Sequence, residues 1–325
     1  MRILVVSSYP PRHCGIGAYA RAQVERLRAE GHEVVVLSPP DGDGDLRVPF
    51  FGGRPFARAA RIGRFFDRVV VHFQPALYYK PRAPLSKVTT SLALSWLVLR
   101  RPDVEILVHE ADPPRPAWRP DYLALRPAFA RARLLFHTDA ERRSLERAYR
   151  VRARASLVAH TDGVRVHAPA TREQARRHLG IGADVRVLLC AGFLHPGKGF
   201  DRAVRAFAAA GSPGRLFVVG SVRDETPENL AYARALGALC SATPGATFVE
   251  RYVSDEDFDR WIAAADLFVL PYRRAWSSGA LARARALGTP ALVSAVGGLA
   301  EQAGPRDRVF ASDEELVELL RPAAG

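Results

Sequence analysis

Lysine is nearly missing from this chain. Only Lys80, Lys87 and Lys198 occur among 47 basic residues, so the formal net charge of +13 is an arginine surplus. No aromatic-rich basic motif accompanies it. The surplus therefore does not describe a nucleic-acid interface, and it points to a small anionic ligand or an anionic surface. Cysteine is scarce too. Cys14, Cys190 and Cys240 are odd in number and scattered, which excludes a disulfide framework and a metal-ligand spacing. Long hydrophobic runs are also lacking. The longest, Ser91 to Leu99, is far short of the ~20 residues that a membrane span needs. The chain opens on a strand-like run, without the charged region, apolar stretch and cleavage site of a signal peptide. These absences give the expectation of a cytoplasmic protein with, at most, peripheral contact at a membrane.

The 325 residues exceed what one core ordinarily serves, and two domains of about 150 residues each are expected. Ile3, Leu4, Val5 and Val6 form a continuous apolar run, as in a parallel strand covered on both faces. Pro10 and Pro11 end it. A helical pattern from Gly17 through Leu27 closes at Gly31, and a second apolar run, Val34 to Leu37, follows, which completes a βαβ unit. Further strands are expected at Val69 to Phe73, Val104 to Val108, Leu134 to Phe136 and Leu157 to Val158, with helices around Ser91 to Leu99 and Ala140 to Tyr149. Asp41-Gly-Asp-Gly-Asp45 does not fit a calcium loop, because Leu46 stands where glycine is needed and Gly52 where an acid is needed. A flexible turn is expected there.

A break follows Gly163, with an extended segment expected over Val164 to Ala170. Thr171 and Gln174 have the spacing of a capping box. A second βα series runs through strands Val185 to Cys190, Leu216 to Val219, Thr247 to Val249, Leu267 to Leu270 and Ala291 to Val293. Its helices are Phe200 to Ala210, Glu228 to Leu239, Asp255 to Ala264, Gly279 to Leu287 and Glu314 to Leu320. Alternating β and α throughout predicts an α/β chain of two Rossmann-like doubly wound domains, 1–165 and 166–325, facing across a cleft. Ligands of such sheets bind beyond the carboxyl ends of the strands.

Three turns at those ends carry candidate chemistry. Gly15 and Gly17 open the first helix, where a ligand can approach the backbone and meet free amides. Lys198, in Ala191-Gly-Phe-Leu-His-Pro-Gly-Lys-Gly199, stands just before a helix as a point charge for phosphate oxygens, although the spacing is not a Walker loop. Ser277, Ser278 and Gly279 begin the helix that Gly288 and Pro290 terminate, and their amides can cradle a diphosphate. Arg283 lies one turn in. A cation there opposes the helix dipole unless an anion sits beside it.

In this order the turns resemble the GT-B glycosyltransferases, in particular the large retaining group that uses nucleotide-diphosphate sugars (glycosyltransferase family 4-like). The matching segments are Tyr9 to Gly17, Val108-His-Glu110, Gly192 to Asp201, Glu250-Arg-Tyr-Val-Ser254, Ala265 to Tyr272, Ser278-Gly279, and Ala286 to Pro290 with Gly297, Gly298 and Glu301. The resemblance implies that Gly15 and Gly17 line the donor diphosphate and that Lys198 holds it. Tyr252 and Val253 would meet the base by backbone, and the Ser277 to Gly279 turn would cradle the distal phosphate. His109 would be the catalytic histidine at the donor sugar, although by its residues alone it reads as a strand-end histidine bonded within its own domain. Two glutamates eight positions apart belong to the group's pattern. Here Ala275 and Arg283 occupy those positions, and Phe193 replaces the arginine usual beside Gly192.

The resulting expectation is transfer of a sugar from a nucleotide-diphosphate sugar to an acceptor hydroxyl, with no metal and no other cofactor. Lys198, Arg283 and helix amides would stabilise the leaving group. Basic residues Arg58, Arg61, Arg64, Lys80, Arg82 and Lys87 favour a lipid-linked or anionic acceptor if they are more than a solvated face. The alternative is a GT-B-like nucleotide-binding or partner subunit without turnover. A nucleotide-sugar epimerase of similar fold finds no acid/base carboxylate cluster to support it.

Overall fold

The computed structural model describes residues 1–12, 14–80, 82–110, 118–160, 164–167 and 171–321. Contacts divide the chain into two units, Met1–Gly163 and Val164–Gly325.

The N-terminal unit runs β1 (Arg2–Val6), α1 (Gly15–Ala29), β2 (Glu33–Ser38), β3 (Leu46–Arg47), α2 (Arg54–Ile62), β4 (Arg68–Phe73), α3 (Pro75–Tyr78) and α4 (Pro84–Arg100). It continues with β5 (Glu105–Val108), α5 (Pro120–Arg131), β6 (Arg133–Phe136), α6 (Asp139–Tyr149) and β7 (Arg154–Leu157). Its sheet has the order β3-β2-β1-β4-β5-β6-β7. Val5 pairs with Val36 on one side and Val70 on the other, both parallel. Ile3 to Val6 are fully buried, as an unbroken apolar run in a doubly covered strand requires. The turn at Asp41 to Asp45 is a bonded structure. Asp45 accepts from the Val36 amide at 2.8 Å, the Asp43 amide donates to the Pro10 carbonyl, and a Cβ on Gly44 would meet Ser38 Oγ at 2.7 Å.

The C-terminal unit runs α7 (Arg172–Leu179), β8 (Val187–Ala191), α8 (Phe200–Ala210), β9 (Arg215–Gly220), α9 (Pro227–Ser241), β10 (Ala246–Glu250) and α10 (Asp255–Ala264). Then come β11 (Leu267–Leu270), α11 (Gly279–Ala286), β12 (Ala291–Ser294), α12 (Leu299–Gln302), β13 (Arg308–Phe310) and α13 (Asp313–Leu320). The capping box is present, with Thr171 and Gln174 each satisfying the other's amide. Residues 164–167 form no strand, and 168–170 lie outside the described residues. The sheet order is β10-β9-β8-β11-β12-β13, again all parallel. Both sheets therefore reverse direction beside their first strand, between β1 and β4 and between β8 and β11. At such a point neighbouring loops diverge and leave a crevice at the carboxyl edge.

Candidate functional site

In the C-terminal unit the two loops at the reversal point are joined to each other. The Gly197 carbonyl, in the loop after β8, accepts from the amides of Arg273 at 2.9 Å and Arg274 at 3.3 Å, in the loop after β11. Gly199 has φ +61°, and a Cβ there would stand 2.2 Å from the Pro271 carbonyl oxygen, so this junction admits only glycine. The joint holds Lys198 half-buried, its Nζ 4.0 Å from the centre of the Tyr272 ring.

Charge accounting separates the cations here. Arg273 is bound by both oxygens of Asp201, each at 2.7 Å, and Arg205 holds the same carboxylate. Burial works to raise the Asp201 carboxyl, but the hydrogen bonds from Arg273 and Arg205 hold it down to about 2. Lys198 and Arg274 make no ion pair among the described residues. His195 reports the resulting field: burial first, then the charges of Lys198, Arg223 and Arg274, bring it down to about 4. A half-buried ammonium without a counter-ion, in a positive loop, is a place prepared for an anion.

The second loop ends at α11. Ser278 is its N-cap and is buried, with Oγ accepting from the Leu281 amide at 3.2 Å. The Ser278 amide donates to Gln302 Oε1, and Gln302 Nε2 donates back to the Ser278 carbonyl, both at 2.8 Å. Behind it the Gly298 amide bonds the Trp276 carbonyl at 2.7 Å. These bonds hold the Ser277–Gly279 turn and take the Ser278 and Leu281 amides, so the Ser278 amide does not join the expected cradle; the amides of Gly279 and Ala280 have no acceptor among the described residues. Tyr252 and Val253 follow β10, the far edge strand, at the same carboxyl end of the sheet; Tyr252 is exposed.

Arg283 is placed differently from the expectation. Its guanidinium turns toward α10, where it meets Asp255 Oδ1 at 2.9 Å and Asp259 Oδ1 at 2.5 Å. The Asp259 side chain is fully buried and also accepts from the His167 amide. The anion that the helix dipole demands is supplied from within the unit, so this arginine calls for no ligand. A signal was present in the sequence, since Asp255 and Asp259 are an i,i+4 like-charge pair that needs a cation nearby.

In the N-terminal unit Gly15 and Gly17 open α1 after β1. A Cβ on Gly17 would touch the Tyr9 backbone at 3.4 Å, whereas one on Gly15 would meet nothing within 4 Å. His109 follows β5 and is bonded inside its own unit, its amide to the Phe73 carbonyl at 2.9 Å and its Nε2 to His72 Nδ1 at 3.0 Å. His72 is completely buried at the end of β4, and its Nε2 stands 2.9 Å from Gln23 Oε1. His137 after β6 and His160 after β7 complete a group of four imidazoles around the Tyr19 ring, with centroids 5.2 to 5.7 Å from it. Only His109 of the four was nominated by sequence. The available signal was that four of nine histidines directly follow apolar runs of a parallel sheet.

Burial takes His72 down to about 3. Burial, then His160, takes His137 to about 3. His109 lies well below its ordinary value, by burial first and the three neighbouring histidines after. All are neutral at pH 7, and with Gln23 Oε1 facing His72 Nε2 the relay runs one way. His72 donates Nε2–H to the Gln23 carbonyl and accepts from His109 Nε2–H, leaving His109 Nδ1 as a bare acceptor. Among the described residues no three His, Cys, Asp or Glu side chains are arranged to hold a metal.

A pH dependence follows. In the unfolded chain His72 titrates near ~6.5, so between about pH 6.5 and 3 the unfolded state binds more protons. The stability from neutral His72 is complete above that window and is lost as pH falls, at about 1.4 kcal/mol per pH unit. Urea denaturation of the whole chain between roughly pH 7 and pH 5 should show this loss, and His72→Gln should reduce the slope by about the share of one histidine, the other three keeping theirs. An unchanged slope would show that the folded histidine is not held neutral.

Residues 185–321 match the family described as Glycosyl transferases group 1. The chain is 34% identical over 180 residues to a D-inositol 3-phosphate glycosyltransferase of Nocardioides sp., a match covering 51% of this chain and 39% of that protein. A Mycobacterium marinum protein of the same description is 33% identical over 173 residues, covering 51% of this chain and 36% of its own length. These alignments span well under two thirds of the relatives. Over the whole chain, the sucrose-phosphate synthase of Thermosynechococcus elongatus superposes with a TM-score of 0.72 at 17% identity, covering 98% of this chain and 88% of that one. Anabaena Alr3699/HepE in complex with UDP gives 0.72 at 15% identity, covering 98% and 89%. At such identities the likeness establishes the fold, which is GT-B.

Proposed function

With residues 185–321 a glycosyl transferases group 1 domain in a GT-B chain, we propose that the protein transfers a sugar from a nucleotide-diphosphate sugar to an acceptor hydroxyl. The observation that carries the proposal is Lys198, a half-buried cation without a counter-ion among the described residues, at the reversal point of the sheet in a loop joined to the one that begins α11. In the reaction the bond from the sugar's anomeric carbon to the diphosphate oxygen breaks and the bond to the acceptor oxygen forms. The acceptor hydroxyl passes its proton to the departing diphosphate or to water, and the nucleoside diphosphate leaves with the electron pair of the broken bond. Lys198 and the α11 amides stabilise that charge where it develops.

Tyr252 and Val253 meet the base, and Gly15 and Gly17 allow phosphate to approach the α1 end. His109 presents bare Nδ1 to a hydroxyl of the donor sugar. The lysine and amides take the part a metal would otherwise play, so chelator should leave the rate unchanged. The arginine surplus favours a lipid-linked or anionic acceptor. The second reading, a nucleotide-binding subunit without turnover, draws on Ala275 and on Arg283, whose cation is committed to Asp255 and Asp259 in place of a glutamate facing the donor.

Nucleoside diphosphate release from a panel of UDP-, GDP-, TDP- and ADP-sugars, with acceptor extracts supplied, separates the two. Release with one base supports transfer. Tight binding with no release from any donor supports the subunit. His109→Ala is expected to lower release about 10²-fold while leaving nucleotide affinity unchanged.

A further inference from the structure

Helix α4 buries Leu94, Leu97 and Val98 on its inner side. It carries a second apolar set that faces out, with Leu85 80%, Leu92 54%, Trp96 38% and Leu99 56% exposed. Three of its small polar side chains face in. Ser91 is buried against the Tyr79 hydroxyl, Thr90 against the Tyr78 carbonyl and Ser95 against the Ala124 carbonyl. The outward residues recur at i, i+7, i+11 and i+14, so they form one stripe about 21 Å long at 1.5 Å per residue. A helix whose outer side meets water carries polar and charged residues there. An outward apolar stripe of this length marks a surface with a partner.

The flanking charge identifies the partner. Between Asp67 and Asp103 the sequence has no acidic residue, and α2 has none either. Helix α2 packs on α4, where Gly53 lets the two approach: a Cβ there would be 2.6 Å from Ala93 Cβ. On the outward side of α2, Arg54, Arg58 and Arg61 are exposed at i, i+4 and i+7, and Phe56, Ala59 and Ala60 are buried behind them. Lys80, Arg82 and Lys87 flank the start of α4. None of these six cations makes an ion pair among the described residues.

We propose that the outward face of α4 and α2 docks on an anionic lipid bilayer, with the leucines and Trp96 entering the headgroup boundary and the arginines and lysines meeting lipid phosphates. A stripe of large apolar side chains with a tryptophan, bordered by cations, is the composition of a helix lying in the plane of an interface. No helix of the described residues is long and apolar enough to cross a membrane. A second copy of the chain fits poorly, because a symmetric contact through this face would bring two arginine stripes together without acids between them. The inference is independent of the transfer reaction.

Co-sedimentation of the full chain with vesicles tests it, using phosphatidylcholine alone and phosphatidylcholine mixed with phosphatidylglycerol, at low and high salt. The chain should bind the anionic vesicles, and high salt should weaken that binding. Leu92→Glu with Trp96→Glu, and separately Arg58→Glu with Arg61→Glu, should each weaken it at least about tenfold, at about 1 kcal/mol per basic residue near the surface for the arginine pair. Thermal denaturation should match the parent, since the substituted side chains face out. No binding to anionic vesicles, or binding unchanged in both variants, overturns the proposal. A self-association that the leucine–tryptophan variant abolishes, with no vesicle binding, assigns the face to a second copy and overturns it as well.

Discussion

Arg283→Glu is expected to destabilise the C-terminal unit by at least about 3–5 kcal/mol, the cost of breaking a buried ion pair by removing one partner. The substitution restores the carboxylate that the glycosyltransferase pattern has at this position, so a comparison of motifs alone would predict a gain of function. The surroundings predict the reverse. Asp259 is fully buried and Asp255 is beside it, and the guanidinium is the cation that meets both. Losing the guanidinium leaves the two carboxylates without its positive charge, and glutamate adds a third negative charge at the same place. Chemical denaturation followed by fluorescence of Trp261, which is buried against Phe217 in this unit, measures the loss. A variant of parental stability would show that the pair is not structural, and would return Arg283 to the set of residues available to a donor.

Lys198→Ala should weaken binding of nucleoside diphosphate about 10- to 100-fold, which corresponds to about 1.5–3 kcal/mol for a charge-assisted contact. Fold stability should change little, because the ammonium makes no ion pair among the described residues and only its contact with the Tyr272 ring is lost. Nucleoside without phosphate should bind parent and variant alike, since the lysine acts on phosphate oxygens. Lys198→Arg should recover part of the affinity, a planar fork being an imperfect substitute for a point charge. Calorimetric titration of diphosphate, monophosphate and nucleoside against the three proteins measures each of these differences. Equal diphosphate affinity in parent and alanine variant would remove Lys198 from the site.

Elements built from continuous apolar runs or clear helical periods were legible in the sequence. The predicted bounds of α8, α10 and β11 agree with the structure, because burial on one or both faces leaves a distinct pattern. Elements held by tertiary pairing were not legible. β3 is two residues and β13 three, both half-exposed sheet edges. β7 begins at Arg154 rather than near Leu157, since an edge strand need not be apolar and Leu157 is 58% exposed. α5 carries Pro127 in its interior, a residue that reads locally as a break.

The candidate site divides along the same line. The turns that hold Lys198 and Ser278 could be placed because each stands between recognisable elements. The histidine group around Tyr19 could not be assembled, since its members come from four strands spread over residues 72 to 160. Arg283 was legible as a cation near a helix start, but its partners lie 24 and 28 residues earlier on another helix. Whether a charge serves a ligand or the fold is decided by such distant partners, which local sequence does not display.

The account rests most heavily on one placement, that of a diphosphate at the joint between the loops after β8 and β11. A crystal structure of the chain with the nucleoside diphosphate that binds it most tightly tests this directly. The predicted result is the distal phosphate within hydrogen-bond reach of Lys198 Nζ and of the first amides of α11, with Arg283 still paired to Asp255 and Asp259. A nucleotide bound elsewhere, with Lys198 and the Ser278–Gly279 turn touching no phosphate, would contradict it.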